Sequence, residues 1–213
     1  MEKNQKVIES RRVQECVKIT PKILYFGTPV VLVSTADMDG KINLSPMSSA
    51  WALDNSVVLG LATSGKTLEN LKATGECTLN FPDEEMWKNV EKLAPLTGKN
   101  RVPDEKTARF RYEPDKFTAA DLTPVKSKDV VPPRVLECKL QMECSVKNIY
   151  DMKNGDCTFA AIVEISVISV YAHNDIMLDT AHVNPSTWKP LIYSFRHYFS
   201  LGFELGKSFR SET

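Results

Sequence analysis

Residues 29–51 read PVVLVSTADMDGKINLSPMSSAW. Residues 29–35 form a short, apolar, β-branched run of the kind a buried strand requires. Asp39-Gly40 follows as a hairpin signal, because glycine accepts the positive φ that a tight two-residue turn demands. Residues 41–44 therefore read as the returning strand, and Pro46, which cannot donate to a ladder, takes the chain to a sheet edge. Beyond the turn come four small polar side chains, Asn43, Ser45, Ser48 and Ser49. They admit two readings. Asn, Ser and Pro are ordinary turn formers; equally, a rigid sheet can present these hydroxyls and amides to a ligand rich in hydrogen-bonding groups.

Working outward, further strands are expected over residues 57–62 and 77–81. Between them, residues 63–75 (TSGKTLENLKATG) place hydroxyls ahead of a short helical pattern and a glycine after it, which predicts a capped helix of roughly two turns. Met86, Val90 and Leu93 share one face of a second helix over residues 83–93, with Asp83 as its N-cap behind Pro82. Residues 97–133 collect charges and prolines, with a brief helical possibility at 114–120, and read as a long excursion over the surface rather than an interdomain linker. In residues 136–146 polar and apolar side chains alternate without a break, which puts Cys138 and Cys144 on the buried face. Asn154-Gly155 then turns the chain into residues 157–171, where Phe159, Ala161, Val163, Ile165 and Val167 share one side. Six or seven strands with hairpin turns and short helices favour one mainly β domain over residues 1–213, a closed or partly closed antiparallel barrel. The aromatic residues 184–199 are expected to pack on that barrel or on a second copy of it.

Acidic and basic residues balance at 27 each. No net field then draws nucleic acid or an anionic membrane, and any bound anion must be held by a local site. The five cysteines, Cys16, Cys77, Cys138, Cys144 and Cys157, include no CxxC pair and no short His/Cys spacing. That pattern speaks against a metal site. A polar start and the lack of a span-length apolar run point to the cytoplasm, where free cysteines serve as small core residues.

A second polar cluster, Ser64-Gly65-Lys66-Thr67, combines backbone amides at a helix start with a lysine and two hydroxyls, the ingredients of a phosphate site. The plainer reading makes Ser64 or Thr67 an N-cap. The spacing is not that of a Walker loop. Trp51 reads first as a core or interface residue. His173, His182 and His197 fall on separate segments, and no nucleophile and base stand together in the sequence. An enzyme built on such a chain leaves the chemistry to a bound cofactor.

In order along the chain, residues 29–35, Asp39-Gly40, residues 43–51, Thr67, Asn70-Leu71 and residues 75–80 resemble successive blocks of the flavin reductase-like proteins, also called flavoredoxin-like. Asp115-Lys116-Phe117, Leu122-Thr123, Pro132-Pro133 and residues 140–144 continue the likeness, which covers roughly residues 25–172. The resemblance implies a Greek-key, FMN-binding split barrel and a homodimer that holds FMN noncovalently near the subunit interface. It also implies the site: Asn43, Ser45, Pro46, Met47, Ser48, Ser49, Ala50 and Trp51 would line the ring and ribityl chain, while Ser64, Lys66 and Thr67 would hold the phosphate.

The activity implied is hydride transfer from NADH or NADPH to FMN, followed by electron delivery to free flavin, a ferric complex or another redox protein. No side chain need act as acid or base, since such a transfer depends on stacking two rings and excluding water. A GxGxxG fingerprint is absent, and the family places the nicotinamide over the flavin rather than in a domain of its own. Two other readings stand beside this one. The same pocket serves a flavin-binding electron carrier or sensor with no NAD(P)H activity of its own, and a small barrel can bind partners without any flavin.

Overall fold

The computed structural model describes residues 16–24 and 26–211. After β1 (Phe26–Pro29), strand β2 (Val31–Ala36) turns through Asp37-Gly40 into β3 (Ile42–Met47). The Asp37 carboxylate accepts from the N–H groups of Asp39 and Lys41 and so fixes the turn. Pro46 remains inside β3, opposite Leu32, which is tolerated because β3 is a sheet edge. A two-residue turn at Asp54-Asn55, with Asp54 at φ 53°, joins β4 (Ala50–Leu53) to β5 (Ser56–Ala62). Helix α1 (Lys66–Thr74) ends on Gly75 in the left-handed conformation, whose N–H returns to the Leu71 carbonyl. Then come β6 (Glu76–Phe81), a 3-10 turn over Glu84–Met86 capped by the Asp83 side chain, and α2 (Trp87–Leu93).

The excursion that follows is only sparsely regular: β7 (Leu96–Thr97) beside β8 (Arg111–Tyr112), α3 (Lys116–Ala119), then β9 (Pro124–Val125) paired with β10 (Arg134–Val135). It is not a surface excursion throughout, because Thr97, Lys116, Phe117, Ala120 and Leu122 are buried. The long hairpin β11 (Leu140–Asn154) and β12 (Cys157–Ala172) completes the main sheet, and β13 (Ile192–Ser194) with β14 (His197–Phe199) joins β1 in a small second sheet. Strand β11 begins four residues later than the alternation from residue 136 predicts. The Gln141 amide donates to the carbonyls of Val135 and Cys138 and holds that stretch as a turn.

The main sheet runs β3-β2-β6-β11-β12-β5-β4, every pair antiparallel. Its two edges are consecutive strands joined only by Ser48-Ser49. Laid flat, seven strands would span roughly 29 Å, whereas the three Cα steps from Met47 to Ala50 reach at most about 11 Å. The sheet must therefore curl until its edges approach. Strands β3 and β4 are not bonded to each other, so the wall stays open along that seam and the fully closed barrel is not formed.

Curling explains why β2 is buried on both faces. Val31 and Val33 point into the curl with Leu59, Leu61, Leu79, Val163 and Ile165, while Val30 and Leu32 meet Leu44, Val90, Leu93, Phe117 and Leu191 outside it. Each such aliphatic side chain contributes roughly 1.5–3 kcal/mol by leaving water. Cys77 and Cys144 face each other across β6 and β11, and Cys138 is equally buried. The neighbouring Cys144 thiol, together with burial, pushes the Cys77 thiol above its ordinary range. Cys16 and Cys157, by contrast, are exposed and are not core residues. Phe159 also departs from the expected inward side, lying 51% exposed near the hairpin end. Among the described residues, no helix is long and apolar enough to cross a membrane.

Candidate functional site

Alternation along β3 sends Leu44 into the outer core and leaves Asn43 and Ser45 on the opposite face, beside the start of α1. Asn43 is 3% exposed and both polar atoms of its side chain are engaged. Its amide nitrogen donates to Thr67 Oγ1 at 3.2 Å and to Ser45 Oγ at 3.4 Å. Its carbonyl oxygen accepts from Lys116 Nζ at 3.0 Å, and the same ammonium reaches Ser45 Oγ at 3.4 Å. Lys116 arrives on α3, whose N-cap Asp115 accepts from the Thr118 N–H. Gly98 lies directly against this knot: a Cβ there would stand 2.3 Å from Asn43 Oδ1.

The knot forms part of the wall of a cavity of about 170 Å³. One side is Ser45, Pro46, Met47, Gly65, Lys66 and Thr67; the other is Thr97, Gly98, Lys106, Phe110 and Lys116. Lys116 is 3% exposed, and among the described residues it pairs with no carboxylate. Burial, then repulsion from Lys106, depresses its pKa to about 8, with Glu113 pulling weakly the other way. Burial also lowers Lys106. Two depressed ammonium groups beside neutral hydroxyls are an arrangement that could hold an anion, because a charge taken out of water without a partner is costly until an opposite charge arrives.

Lys66 sits differently. Its ammonium binds Glu69 Oε1 at 2.6 Å and Asp37 Oδ2 at 3.5 Å. Burial works against its charge, but these carboxylates outweigh it and hold its pKa above the ordinary value. Glu69 also pairs with Lys99, and its own pKa is lowered by Lys66 and then Lys99.

Of the residues expected from sequence, Asn43, Ser45, Pro46, Met47, Lys66 and Thr67 come together at this cavity. Ser48, Ser49, Ala50, Trp51 and Ser64 do not line it. Ala50 is in the inner core, the Ser49 carbonyl accepts from the Gly60 N–H, and Trp51 lies 59% exposed on the outer sheet face. The N-cap of α1 is Gly65, without a side-chain cap bond, so neither Ser64 nor Thr67 plays that part and the Thr67 hydroxyl is free to bind Asn43. Sequence reading missed Gly98, Lys106, Phe110 and Lys116 as site residues. Only the Asp115-Lys116-Phe117 block signalled any of them, and it carried no assigned role.

The chain has extensive relatives. The flavin reductase like domain matches residues 23–202. The uncharacterized protein YdfE of Bacillus subtilis is 46% identical over 206 residues, covering 96% of this chain and 97% of that protein. Flavoredoxin of Desulfovibrio vulgaris superposes with a TM-score of 0.74 at 19% identity, covering 93% of this chain and all of that one. Nitrilotriacetate monooxygenase component B from Bacillus cereus gives 0.73 at 17%, covering 91% of this chain and all of that one. These likenesses in shape are consistent with a split barrel. The domain match across residues 23–202 places the chain in the flavin reductase-like family.

Proposed function

We propose that this chain is a cytoplasmic, homodimeric FMN-dependent oxidoreductase that takes electrons from NADH or NADPH and delivers them to free flavin, a ferric complex or a partner protein. The observation that carries this reading is Lys116, a buried ammonium with hydroxyl neighbours and no carboxylate, which fits a phosphate monoester. The cavity is smaller than the 300–1,000 Å³ typical of whole-ligand pockets. It would suit the phosphate end of FMN, held by Lys116, Lys106, Ser45 and Thr67. When bound, FMN supplies the hydride acceptor and the electron relay.

The chain's own residues bind and orient. Lys116 and Lys106 neutralise the phosphate, Ser45 and Thr67 offer hydroxyls, and Asn43 fixes the direction of Lys116 and Thr67 together. Pro46 and Met47 give the cavity an apolar wall that excludes water. No side chain is asked to donate or remove a proton.

Two of the solved structures of this shape are flavoredoxins, which favours a second reading as an electron carrier without NAD(P)H activity. One cuvette separates the two. The purified protein should show flavin absorption bands that bleach within seconds of anaerobic addition of NADH or NADPH. Bands that persist would leave the carrier; a colourless protein that retains no added FMN would overturn both.

A further inference from the structure

Lys116 carries a chemistry that the flavin reading does not use. It lines the cavity, and its nitrogen is held by two neutral partners, Asn43 Oδ1 at 3.0 Å and Ser45 Oγ at 3.4 Å. No carboxylate locks a proton on it. Of the charged groups around it, Lys106 opposes the proton and only Glu113 favours it, while Lys66 on the facing wall is occupied by Asp37 and Glu69. With a pKa of about 8, about one Lys116 in ten is a free amine at pH 7, against roughly one in a few thousand for an ordinary lysine. A free amine is a nucleophile.

The same wall is equipped to hold a phosphate beside that amine. Ser45 Oγ accepts from Asn43 Nδ2 and from Lys116 Nζ, and Thr67 Oγ1 accepts from Asn43 Nδ2. Among the described residues neither hydroxyl has an acceptor of its own, so both O–H groups remain to donate to a ligand in the cavity. Lys106 adds a second positive charge. A cavity of about 170 Å³ admits a small phosphate compound, whose reactive atom must then lie close to the phosphorus.

We propose that Lys116 is a self-modifying residue, whose amine takes the acyl group of a small acyl phosphate bound in this cavity. In such a compound a bridging oxygen joins the carbonyl carbon to the phosphate, so donors that hold the phosphate also bring that carbon to Nζ. The nitrogen attacks the carbon, the C–N bond forms as the C–O bond to phosphate breaks, and the departing hydrogen phosphate carries off one amine proton. Nothing is oxidised or reduced. Lys106 and the two hydroxyls stabilise the charge gathering on the leaving phosphate. The product suits the site: an amide is neutral, which removes a charge from a buried position, and it keeps one N–H for Asn43 Oδ1. Acylation also deletes a countercharge from the phosphate site and so switches off flavin binding; that consequence, unlike the acylation itself, rests on the FMN reading.

In the test, the full chain is exposed to acetyl phosphate and the acetyl groups are located by peptide mass spectrometry. Lys116 should be acetylated at least about tenfold faster than the exposed Lys153. Its rate should level off above about pH 8, and inorganic phosphate should slow Lys116 without slowing Lys153. Equal rates at the two lysines, transfer to Lys106 instead, or no protection by phosphate overturns the proposal. FMN titration of the same samples separates this proposal from the flavin reading. Loss of FMN binding in step with acetylation supports the switch. FMN bound as tightly by the acetylated chain overturns the switch and the placing of its phosphate at Lys116, and leaves the acylation standing. FMN bound by a chain whose Lys116 resists acetyl phosphate overturns the acylation and leaves the flavin reading intact.

Discussion

Lys116 and Lys66 approach the same cavity from opposite sides, and their surroundings are reversed. Lys66 already has two carboxylates; Lys116 has an amide oxygen and a hydroxyl. The folded chain has thus satisfied one ammonium internally and left the other buried and unpaired, with its pKa held near 8. The difference teaches where an anion gains most. A phosphate at Lys66 must compete with Glu69 and Asp37, whereas at Lys116 it relieves an existing desolvation penalty.

The sharpest test of that contrast is Lys116→Met. We expect the FMN dissociation constant to rise about 30-fold or more, the loss associated with removing one partner of a buried charge pair. Without flavin, removal of a buried charge with no carboxylate partner and loss of the donor to Asn43 Oδ1 oppose each other, so the variant should melt close to the parent. A lowered melting temperature with FMN affinity intact would make Lys116 a structural residue and break the comparison. The pH dependence follows. The folded pKa lies below the ordinary lysine value, so between about 8 and 10.5 the unfolded chain binds the proton that the folded chain has lost. Across that window this group lets the unliganded protein gain stability as pH rises. FMN affinity, which uses the charged form, should fall above pH 8 by a factor approaching about ten per unit.

Gly98→Ala probes the wall between the two lysines. A methyl group 2.3 Å from Asn43 Oδ1 must drive the amide away, releasing both Lys116 and Thr67. Overpacking of this kind costs about 1–3 kcal/mol of stability. We expect a lower melting temperature, FMN binding weakened about tenfold, and a smaller melting-temperature loss from Gly98→Ala when it is made in an Asn43→Ala chain, where the clash is already gone. An equal loss in both chains would place the strain elsewhere.

What was legible in the sequence was local. The Asp39-Gly40 turn and the glycine after α1 depend on residues within a few positions, and the structure realises both; the alternation around Cys144 is broken, because a bulge at Glu143/Cys144 buries Glu143 beside Cys144 and Gln141 turns inward. Strand β4 escaped because AWAL is only four residues long and its Asp54-Asn55 turn lacks glycine. The open seam was not legible either, since it follows from the pairing order of seven strands. The site divided in the same way. Asn43, Ser45 and Thr67 lie in recognisable polar clusters, but Lys116 meets Asn43 across 73 positions and sits in a stretch whose charges and prolines mimic a solvated loop. Lys66 drew attention because a lysine at a helix start is a familiar anion-binding pattern; nothing in the sequence reveals that Asp37 and Glu69 already hold it.

Lys66→Ala is therefore the mildest and the most discriminating change. It removes a positive charge from the cavity but also frees Asp37 from its ion pair and leaves Glu69 to Lys99 alone. Partly exposed pairs of this kind contribute little individually. The FMN dissociation constant should rise about threefold, well short of the Lys116→Met effect. Titration of the flavin fluorescence against each variant reads both constants directly. An unchanged constant removes Lys66 from the site. A loss equal to that of Lys116→Met means that phosphate binding pulls Lys66 away from its carboxylates, and the two lysines then act as one clamp despite their opposite resting states.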